Sequence, residues 1–361
     1  MGEAAQPAAP TCGVRCAVND VVQNASALTL SVVMVTWRRP DYLAATLRHV
    51  ARLVLPVDEV LVVIAPGDPA SAVVDAHPWV TKVAFPGAAG SMTRARNEGL
   101  LHASGSVIAF LDDDAYPRER WSRNLLAVFE DPTVFAVAGR TCNGAPDDAG
   151  PGIDAVGRLL ANGRLTGNFA ADTGVEIDVD HGIGANMAFR REVLGVLGGL
   201  RDDFPGPALL EDTDLFTRVR ALGYRVVFAP QVVVDHVGAP HVSGRRFDWR
   251  YMFWARHNHV LFLARNFGLG SSRLRRWIAE EIRTAYVRGE PVAVGAPRAL
   301  ARAALTVLAV AAGVATSARK AQWHASTPIR SDAIGVAIRR HLGGPQGSAP
   351  PSGADNAVSD R

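Results

Sequence analysis

Residues 28–240 alternate short runs of β-branched residues with segments of helical periodicity, and this alternation limits the possible folds more than any other feature of the chain. The clearest runs are Leu30 to Thr36, Val60 to Ile64 and Val107 to Leu111. Between the first two, apolar residues recur at helical spacing, at Leu43, Leu47, Val50 and Val54. Strands that alternate with helices form βα units around a largely parallel sheet. The sequence therefore predicts an α/β fold.

Three consecutive carboxylates, Asp112, Asp113 and Asp114, follow the apolar run that ends at Leu111. Ligands of open α/β sheets bind at the carboxyl ends of the strands. Adjacent carboxylates repel one another unless a cation offsets their charge, and a hard divalent cation prefers oxygen ligands. The alternative is an acidic loop that caps a helix starting at Pro117. The position at a strand end favours a metal site.

A second acidic cluster, Glu211-Asp212-Thr213-Asp214, opens a predicted helix with Leu215, Val219 and Leu222 on one face. Carboxylates at a helix N-terminus also stabilise the helix dipole, so this cluster alone leaves a structural role open. Together, the two clusters suit a transfer reaction. One would hold a metal beside the leaving group, and the other would supply a carboxylate base.

The composition is that of a globular protein: 361 residues, 48% hydrophobic and 20% charged. The formal net charge of +3 hides an uneven distribution. Residues 1–240 carry 20 basic and 28 acidic side chains, whereas residues 241–341 carry 17 basic and 5 acidic ones. The acidic part argues against nucleic acid as a partner, and the basic part suits phosphates or an anionic membrane surface.

The cysteines and the chain ends bear on the cellular compartment. Three cysteines, Cys12, Cys16 and Cys142, are too few for a disulfide framework or a four-cysteine zinc site, which favours a reducing compartment. Residues 1–27 lack the basic and apolar regions of a secretory signal and are predicted to be a flexible leader. Residues 343–361, rich in Gly, Pro and Ser, are predicted to be a disordered tail. We therefore expect a cytoplasmic protein.

Six segments follow one another along the chain in a recognisable order. They are Thr36-Trp37-Arg38-Arg39-Pro40; Gly87-Ala88-Ala89-Gly90 with Ala95-Arg96-Asn97-Glu98-Gly99; Phe110-Leu111-Asp112-Asp113-Asp114; Gly184-Ala185-Asn186-Met187-Ala188-Phe189-Arg190-Arg191; Glu211-Asp212; and His236. In this order they resemble the family 2 glycosyltransferases. The resemblance covers roughly residues 28–240. It implies the GT-A fold, a Rossmann-like, mostly parallel sheet flanked by helices, as the catalytic domain.

The resemblance also implies a nucleotide-sugar donor, a Mn²⁺ or Mg²⁺ ion and inversion at the anomeric carbon. By it, residues 112–114 resemble the DxD element, in which Asp114 binds the metal and Asp112 or Asp113 contacts ribose or metal. Asp212 resembles the catalytic base. His236 resembles the histidine that completes metal and diphosphate binding in some members.

The resemblance places Thr36, Arg38 and Arg96 where the donor nucleotide is held. One departure concerns the second strand, which members usually follow with an acidic residue for the nucleobase or ribose. Here that strand ends in Ile64-Ala65-Pro66, so Asp68 is the displaced candidate for this role. His181 is a weaker candidate for donor or acceptor contact, and Asn186 is a candidate for the acceptor side.

Residues 241–342 differ in character and are predicted to form a basic, aromatic helical extension. Trp249, Trp254, Trp277 and Trp323 are interleaved with arginines, as is typical of membrane interfaces. Residues 303–318 are uncharged and mostly apolar but shorter than the ~20 residues that a spanning helix needs. A buried helix and a helix inserted in the membrane interface both fit this pattern.

The sequence thus predicts a metal-dependent, inverting glycosyltransferase on the inner face of the cell membrane. Its acceptor would be a hydroxyl on a lipid-linked or cell-surface glycan or on a secondary metabolite. One alternative is a sugar nucleotidyltransferase, although Thr36-Trp37-Arg38-Arg39-Pro40 lacks the glycines expected after the first strand of that class. The other is a non-catalytic sugar-binding relative, which two intact acidic clusters disfavour.

Overall fold

The computed structural model describes residues 28–86, 92–144, 152–238, 248–287, 292–319 and 333–342. The leader, the tail, Cys12, Cys16, the Gly87 to Gly90 segment and Trp323 lie outside the described residues. So does the predicted boundary between residues 240 and 241.

The first half of the sheet is parallel. Its strands are β1 (Leu30–Val35), β2 (Glu59–Ile64), β3 (Thr81–Ala84) and β4 (Val107–Asp112), in the order β3-β2-β1-β4. The intervening helices are α1 (Pro40–Val50), α2 (Ser71–Asp75) and α3 (Met92–Leu100). The strands lie where the β-branched runs predicted them. Helix α3 packs so closely on the sheet that a Cβ at Gly99 would lie 2.4 Å from Val33 Cγ1.

The second half of the sheet is mixed. It adds β5 (Ala115–Pro117), β6 (Val134–Cys142), β7 (Ile177–Asp178), β8 (Asn186–Arg190) and β9 (Arg225–His236), with helices α4 (Trp121–Val128), α5 (Arg191–Leu197) and α6 (Glu211–Ala221). The order continues β4-β8-β6-β9-β5, and β7 pairs with β9. Strand β8 is antiparallel to both neighbours because it follows a long irregular segment rather than a crossover helix.

Two sequence expectations need correction in this half. The helix predicted to start at Pro117 starts at Trp121, because Pro117 pairs with Val234 as the last residue of β5. The mostly parallel sheet holds for β1 to β4 and for the pair β6 and β9, whereas the pairs made by β5, β7 and β8 are antiparallel. The two faces of the sheet are each covered by a buried apolar cluster, as a sheet with helices on both sides requires.

The C-terminal region is helical: α7 (Trp249–Phe267), α8 (Ser272–Val287), α9 (Val292–Arg319) and α10 (Ala333–His341). A third apolar cluster joins α7, α8 and α9 to the loop before α6, through Phe204 and Ala208. The extension therefore packs directly on the sheet unit. Within the described residues, one helical stretch is long and apolar enough to cross a membrane, Leu300–Arg319, of which 28% is buried.

Candidate active site

Strands β1, β4 and β9 run in the same direction, so their carboxyl ends lie at one edge of the sheet. Asp112 is the last residue of β4, and His236 is the last residue of β9 and pairs with Ala115 of β5. This topology brings the Asp112 to Asp114 cluster beside a histidine more than a hundred residues later in the chain.

Asp112, Asp114 and His236 form a group in which one ligand atom of each lies within 4.8 Å of the others. His236 Nε2 is 3.3 Å from Asp114 Oδ1, and its Nδ1 is 2.9 Å from Asn143 Oδ1, which orients the ring. Two carboxylates and one imidazole are a donor set that can hold a divalent metal ion. The residues that the sequence assigned as metal ligands are thus adjacent in space.

Asp113 faces away from this group. Its carboxylate is fully buried, accepts a hydrogen bond from Thr36 Oγ1 at 2.6 Å and lies 2.6 Å from Arg39 Nη2. Burial raises the pKa of Asp113 to about 7, although Arg39 and Thr36 oppose this rise. The Asp113 and Thr36 side chains therefore bond to each other beneath the surface, and their contact with donor or metal stays a prediction.

Arg96 connects the metal-ligand group to the second acidic cluster. Its buried guanidinium donates to Asp112 Oδ1 at 2.8 Å, to Glu211 Oε1 at 3.0 Å and to the Gly184 carbonyl at 3.0 Å. Burial lowers the pKa of Arg96, but the negative charges of Asp112, Glu211 and Asp212 together raise it by more. The net shift of the Arg96 pKa is therefore upward. Arg96 thus positions both acidic clusters from a buried place, and its contact with the donor stays a prediction.

Asp212 is the only partly exposed acid in the first turn of α6. Its Oδ2 accepts from the Gly184 N–H at 2.8 Å and its Oδ1 from the Thr213 N–H at 2.6 Å. Glu211 is buried against Arg96, and Asp214 is fully buried 2.8 Å from both Arg201 Nη1 and Asn266 Nδ2. Among the acids of this turn, Asp212 is therefore the one that an acceptor could reach.

Arg38 and Asp68 shape the loop beside β1. Arg38 has a left-handed backbone with φ of 53°, and its N–H donates to Asp68 Oδ2 at 2.8 Å. Asp68 Oδ1 also accepts from the Ala70 N–H at 2.9 Å, and the side chain is buried. Asp68 therefore organises this loop. The exposed Arg38 guanidinium lies 5.0 Å from the centre of the Trp37 ring, so Trp37 is an accessible aromatic that the sequence reading did not single out.

Residues 31–198 match the family described as Glycosyl transferase family 2. This part of the chain is a family 2 glycosyltransferase domain. The match ends before Asp212 and His236, so these two residues come from beyond the matched segment. The family that the sequence motifs predict is confirmed for this domain.

Curated relatives match over a shorter segment. The pre-mycofactocin glycosyltransferase of Mycobacterium tuberculosis, from strains CDC 1551 / Oshkosh and ATCC 25618 / H37Rv, is 31% identical over 144 residues. The match covers 39% of this chain and 29% of the relative, so the chain spans less than a third of the length of these proteins.

Solved structures show the fold. GalNAc-T7 with UDP, GalNAc and Mn²⁺ has a TM-score of 0.55 at 16% identity and covers 73% of this chain and 51% of that chain. The mannosyltransferase PcManGT from Pyrobaculum calidifontis, in complex with GDP-Man and Mn²⁺, has a TM-score of 0.45 at 21% identity. The match covers 82% of this chain and 77% of that chain. The likeness to GalNAc-T7 confirms the GT-A fold expected from the resemblance.

Two weaker candidates of the family 2 domain are core residues. Asn186 accepts from Trp121 Nε1 at 2.9 Å and donates to the carbonyls of Arg140 and Val232 at 3.0 and 2.9 Å. Its buried amide is used within the sheet, so it does not line the acceptor side. His181 is buried with its Nε2 2.9 Å from the Thr166 carbonyl, and burial lowers its pKa.

The loop from Phe204 to Leu210 leads into the turn that holds Asp212 and is held by helix α7. Asn258 Nδ2 donates to the carbonyls of Pro205 at 3.1 Å and Leu209 at 3.2 Å. A Cβ at Gly206 would lie 2.5 Å from the Trp254 ring, so only glycine fits at this contact. The helical extension is therefore part of the site's support, which the sequence did not reveal.

Metal-free protein should lose stability as the pH rises from about 6.5 to 8. Burial, together with Asp212, raises the pKa of Glu211 to about 8, so the folded state holds a proton that the unfolded state has released. Asp113, with a pKa of about 7, acts in the same direction. The buried histidines have lowered pKa values, so their titration makes the protein more stable as the pH rises. This effect acts mainly below pH 6.5, the ordinary pKa of histidine, and so outside the range considered. Urea midpoints measured in EDTA across this range test the fall.

Glu211→Gln should flatten this fall, because the amide does not titrate, whereas the exposed Glu119→Gln should leave it unchanged. A midpoint that rises between pH 6.5 and 8, or one whose slope is the same in Glu211→Gln, would contradict the assignment of the bound proton.

Proposed function

We propose that this protein is a metal-dependent, inverting glycosyltransferase that moves a sugar from a nucleotide-sugar donor to an acceptor hydroxyl. The observation that carries the proposal is that Arg96 connects Asp112 of the group Asp112, Asp114 and His236 to Gly184, whose N–H holds the reachable carboxylate of Asp212. A separate base and a cation site at one sheet edge meet the two needs of glycosyl transfer.

Asp112, Asp114 and His236 are the residues that would hold Mn²⁺ or Mg²⁺. Arg96 on Asp112 and Arg39 near Asp114 offset part of the acidic charge of this group. When bound, the ion would offset the negative charge that develops on the departing diphosphate. The Mn²⁺ and UDP of GalNAc-T7 support this donor class and ion type.

The chain's own residues perform the remaining work. Asp212 removes the proton from the acceptor hydroxyl as its oxygen forms a bond to the anomeric carbon. The bond between that carbon and the diphosphate oxygen breaks, and the nucleoside diphosphate leaves. A single displacement of this kind inverts the anomeric centre. The Gly184 N–H holds the Asp212 carboxylate in place during the step. Trp37 and Arg38 follow strand β1, which would border the donor nucleotide.

A panel of UDP-, GDP- and dTDP-sugars incubated with the full chain tests the activity. We expect release of a nucleoside diphosphate that requires Mn²⁺ or Mg²⁺ and stops in EDTA. Formation of a nucleotide-sugar from a nucleoside triphosphate and a sugar phosphate would instead indicate a nucleotidyltransferase. Thermal stabilisation by donors with no turnover on any acceptor or water would indicate a non-catalytic sugar-binding relative.

We also propose a cytoplasmic location at the inner face of the cell membrane, with a lipid-linked acceptor. The excess of 17 basic over 5 acidic residues in the segment 241–341 supports binding to anionic lipid. The apolar stretch of α9, Leu300–Arg319, adds an apolar surface to the same segment.

A further inference from the structure

Helix α9 has its apolar face turned outward. Every exposed residue from 300 to 318 is apolar, and these residues recur at helical spacing along one side. They are Leu300, Ala301, Ala304, Val307, Leu308, Ala311, Val314, Ala315 and Ala318, which we call the apolar stripe. Val307 is 50% exposed and Leu308 is 62% exposed. A helix that merely closed a protein core would bury this side.

The opposite side of α9 packs on the protein and carries polar residues together with the buried Ala309 and Val310. Thr306 and Ser317 are buried there, and their hydroxyls bond to carbonyls one turn earlier at 2.9 and 2.8 Å. Thr316 Oγ1 lies 3.1 Å from His257 Nε2 of α7. A Cβ at Gly313 would lie 2.8 Å from Val260 Cβ, which shows how closely the two helices cross. The exposed side of α9 is therefore at least as apolar as its packed side, whereas a helix on a soluble core exposes polar residues.

The charges near α9 show what the stripe can meet. Residues 291–331 contain five basic residues and no acidic one. The neighbouring helix α8 exposes Arg275, Arg276 and Arg283, and also Ile282. Anionic lipid complements this charge, whereas a second copy of the chain would bring the same arginines against one another.

We propose that the apolar stripe lies in the plane of an anionic membrane, buried at the level of the headgroups, and that it anchors the enzyme there. The contacts of α9 with α7 leave only one side free for lipid, so the helix lies on the bilayer and does not cross it. The contacts 257 to 316 and 260 to 313 run antiparallel, which places the exposed Trp249 toward the Arg319 end of α9. Tryptophan and arginine are typical of this interfacial level.

This inference deepens the proposed membrane location and does not depend on transfer activity. Its test is co-sedimentation of the full chain with vesicles of phosphatidylcholine alone or mixed with phosphatidylglycerol, without donor or acceptor. We expect binding to the anionic vesicles that weakens as salt rises. The variant V307E/L308E should lower the partition coefficient about tenfold or more, because it places two charges in the apolar stripe.

The matched control is V54E/V175E, which changes two valines of similar exposure, 57% and 63%, on the sheet unit. It should bind vesicles like the unaltered protein. A second stripe variant, A304E/A311E, and the melting temperature of each protein separate a loss of vesicle binding from a loss of folding. Vesicle binding that survives in both stripe variants overturns the proposal. So does an unaltered protein that ignores vesicles and forms a dimer that V307E/L308E dissociates. A loss of nucleotide-sugar turnover with vesicle binding intact would count against the proposed function alone.

Discussion

Asp212→Asn should lower glycosyl transfer by about a hundredfold or more while donor binding stays near normal, the scale expected for loss of a positioned general base. The amide keeps the size of the carboxylate, and its oxygen can still accept from the Gly184 or Thr213 N–H, but it cannot take the acceptor's proton. Turnover of the donor and calorimetric affinity for the nucleoside diphosphate with Mn²⁺ measure the two effects separately.

Asp202→Asn is the matched control, because this acid lies on the loop before α6, where its carboxylate is 3.6 Å from Arg94 Nε. It should keep its turnover. Near-normal turnover in Asp212→Asn would show that the base lies elsewhere. A variant with a strongly lowered melting temperature and no donor binding would instead assign Asp212 a role in capping α6.

Asp114→Asn should weaken metal-dependent binding of nucleoside diphosphate at least about a hundredfold, since loss of a direct ligand should cost no less than loss of an outer-shell partner. The change removes one negative oxygen donor from the group with Asp112 and His236. UDP and GDP titrated with and without Mn²⁺ give the affinities, and Mn²⁺ titrated alone gives the affinity of the ion.

Asp235→Asn is the control for this experiment. Asp235 precedes His236 in β9, but its carboxylate pairs with Arg118 at 2.7 Å and is not part of the three-residue group. It should retain metal-dependent binding. If Asp114→Asn keeps the full effect of Mn²⁺ on nucleotide affinity, the metal assignment is wrong.

The sequence was sufficient to predict strands from runs of β-branched residues, and to predict candidate site residues from motifs at strand ends. The runs at Leu30 and Val107 became β1 and β4 because β-branched residues pack well in a buried sheet. Asp112, Asp114 and His236 were named as ligands from motifs alone, and the parallel direction of β4 and β9 brings them to one edge.

The direction of individual side chains was not available from the sequence. Asp113 and Asp114 are neighbours, yet one turns into the core toward Thr36 and the other lies near His236. Arg96 looked like a donor contact, but it is buried between Asp112 and Glu211. These outcomes depend on which partner groups the fold places within hydrogen-bond distance.

By itself, the sequence determined the α/β fold, the family and the two acidic clusters, because each depends on local pattern or on spacing along the chain. Only the tertiary structure decided that Asp212 is the reachable acid, that α7 holds its loop through Asn258, and that α9 turns its apolar stripe outward. The apolar residues of α9 fit a buried helix and an interfacial helix equally well. The close contact of Gly313 with Val260 decides which side of α9 packs on the protein. Val260 lies more than fifty residues before Gly313 in the chain, so the local sequence of α9 does not contain this information.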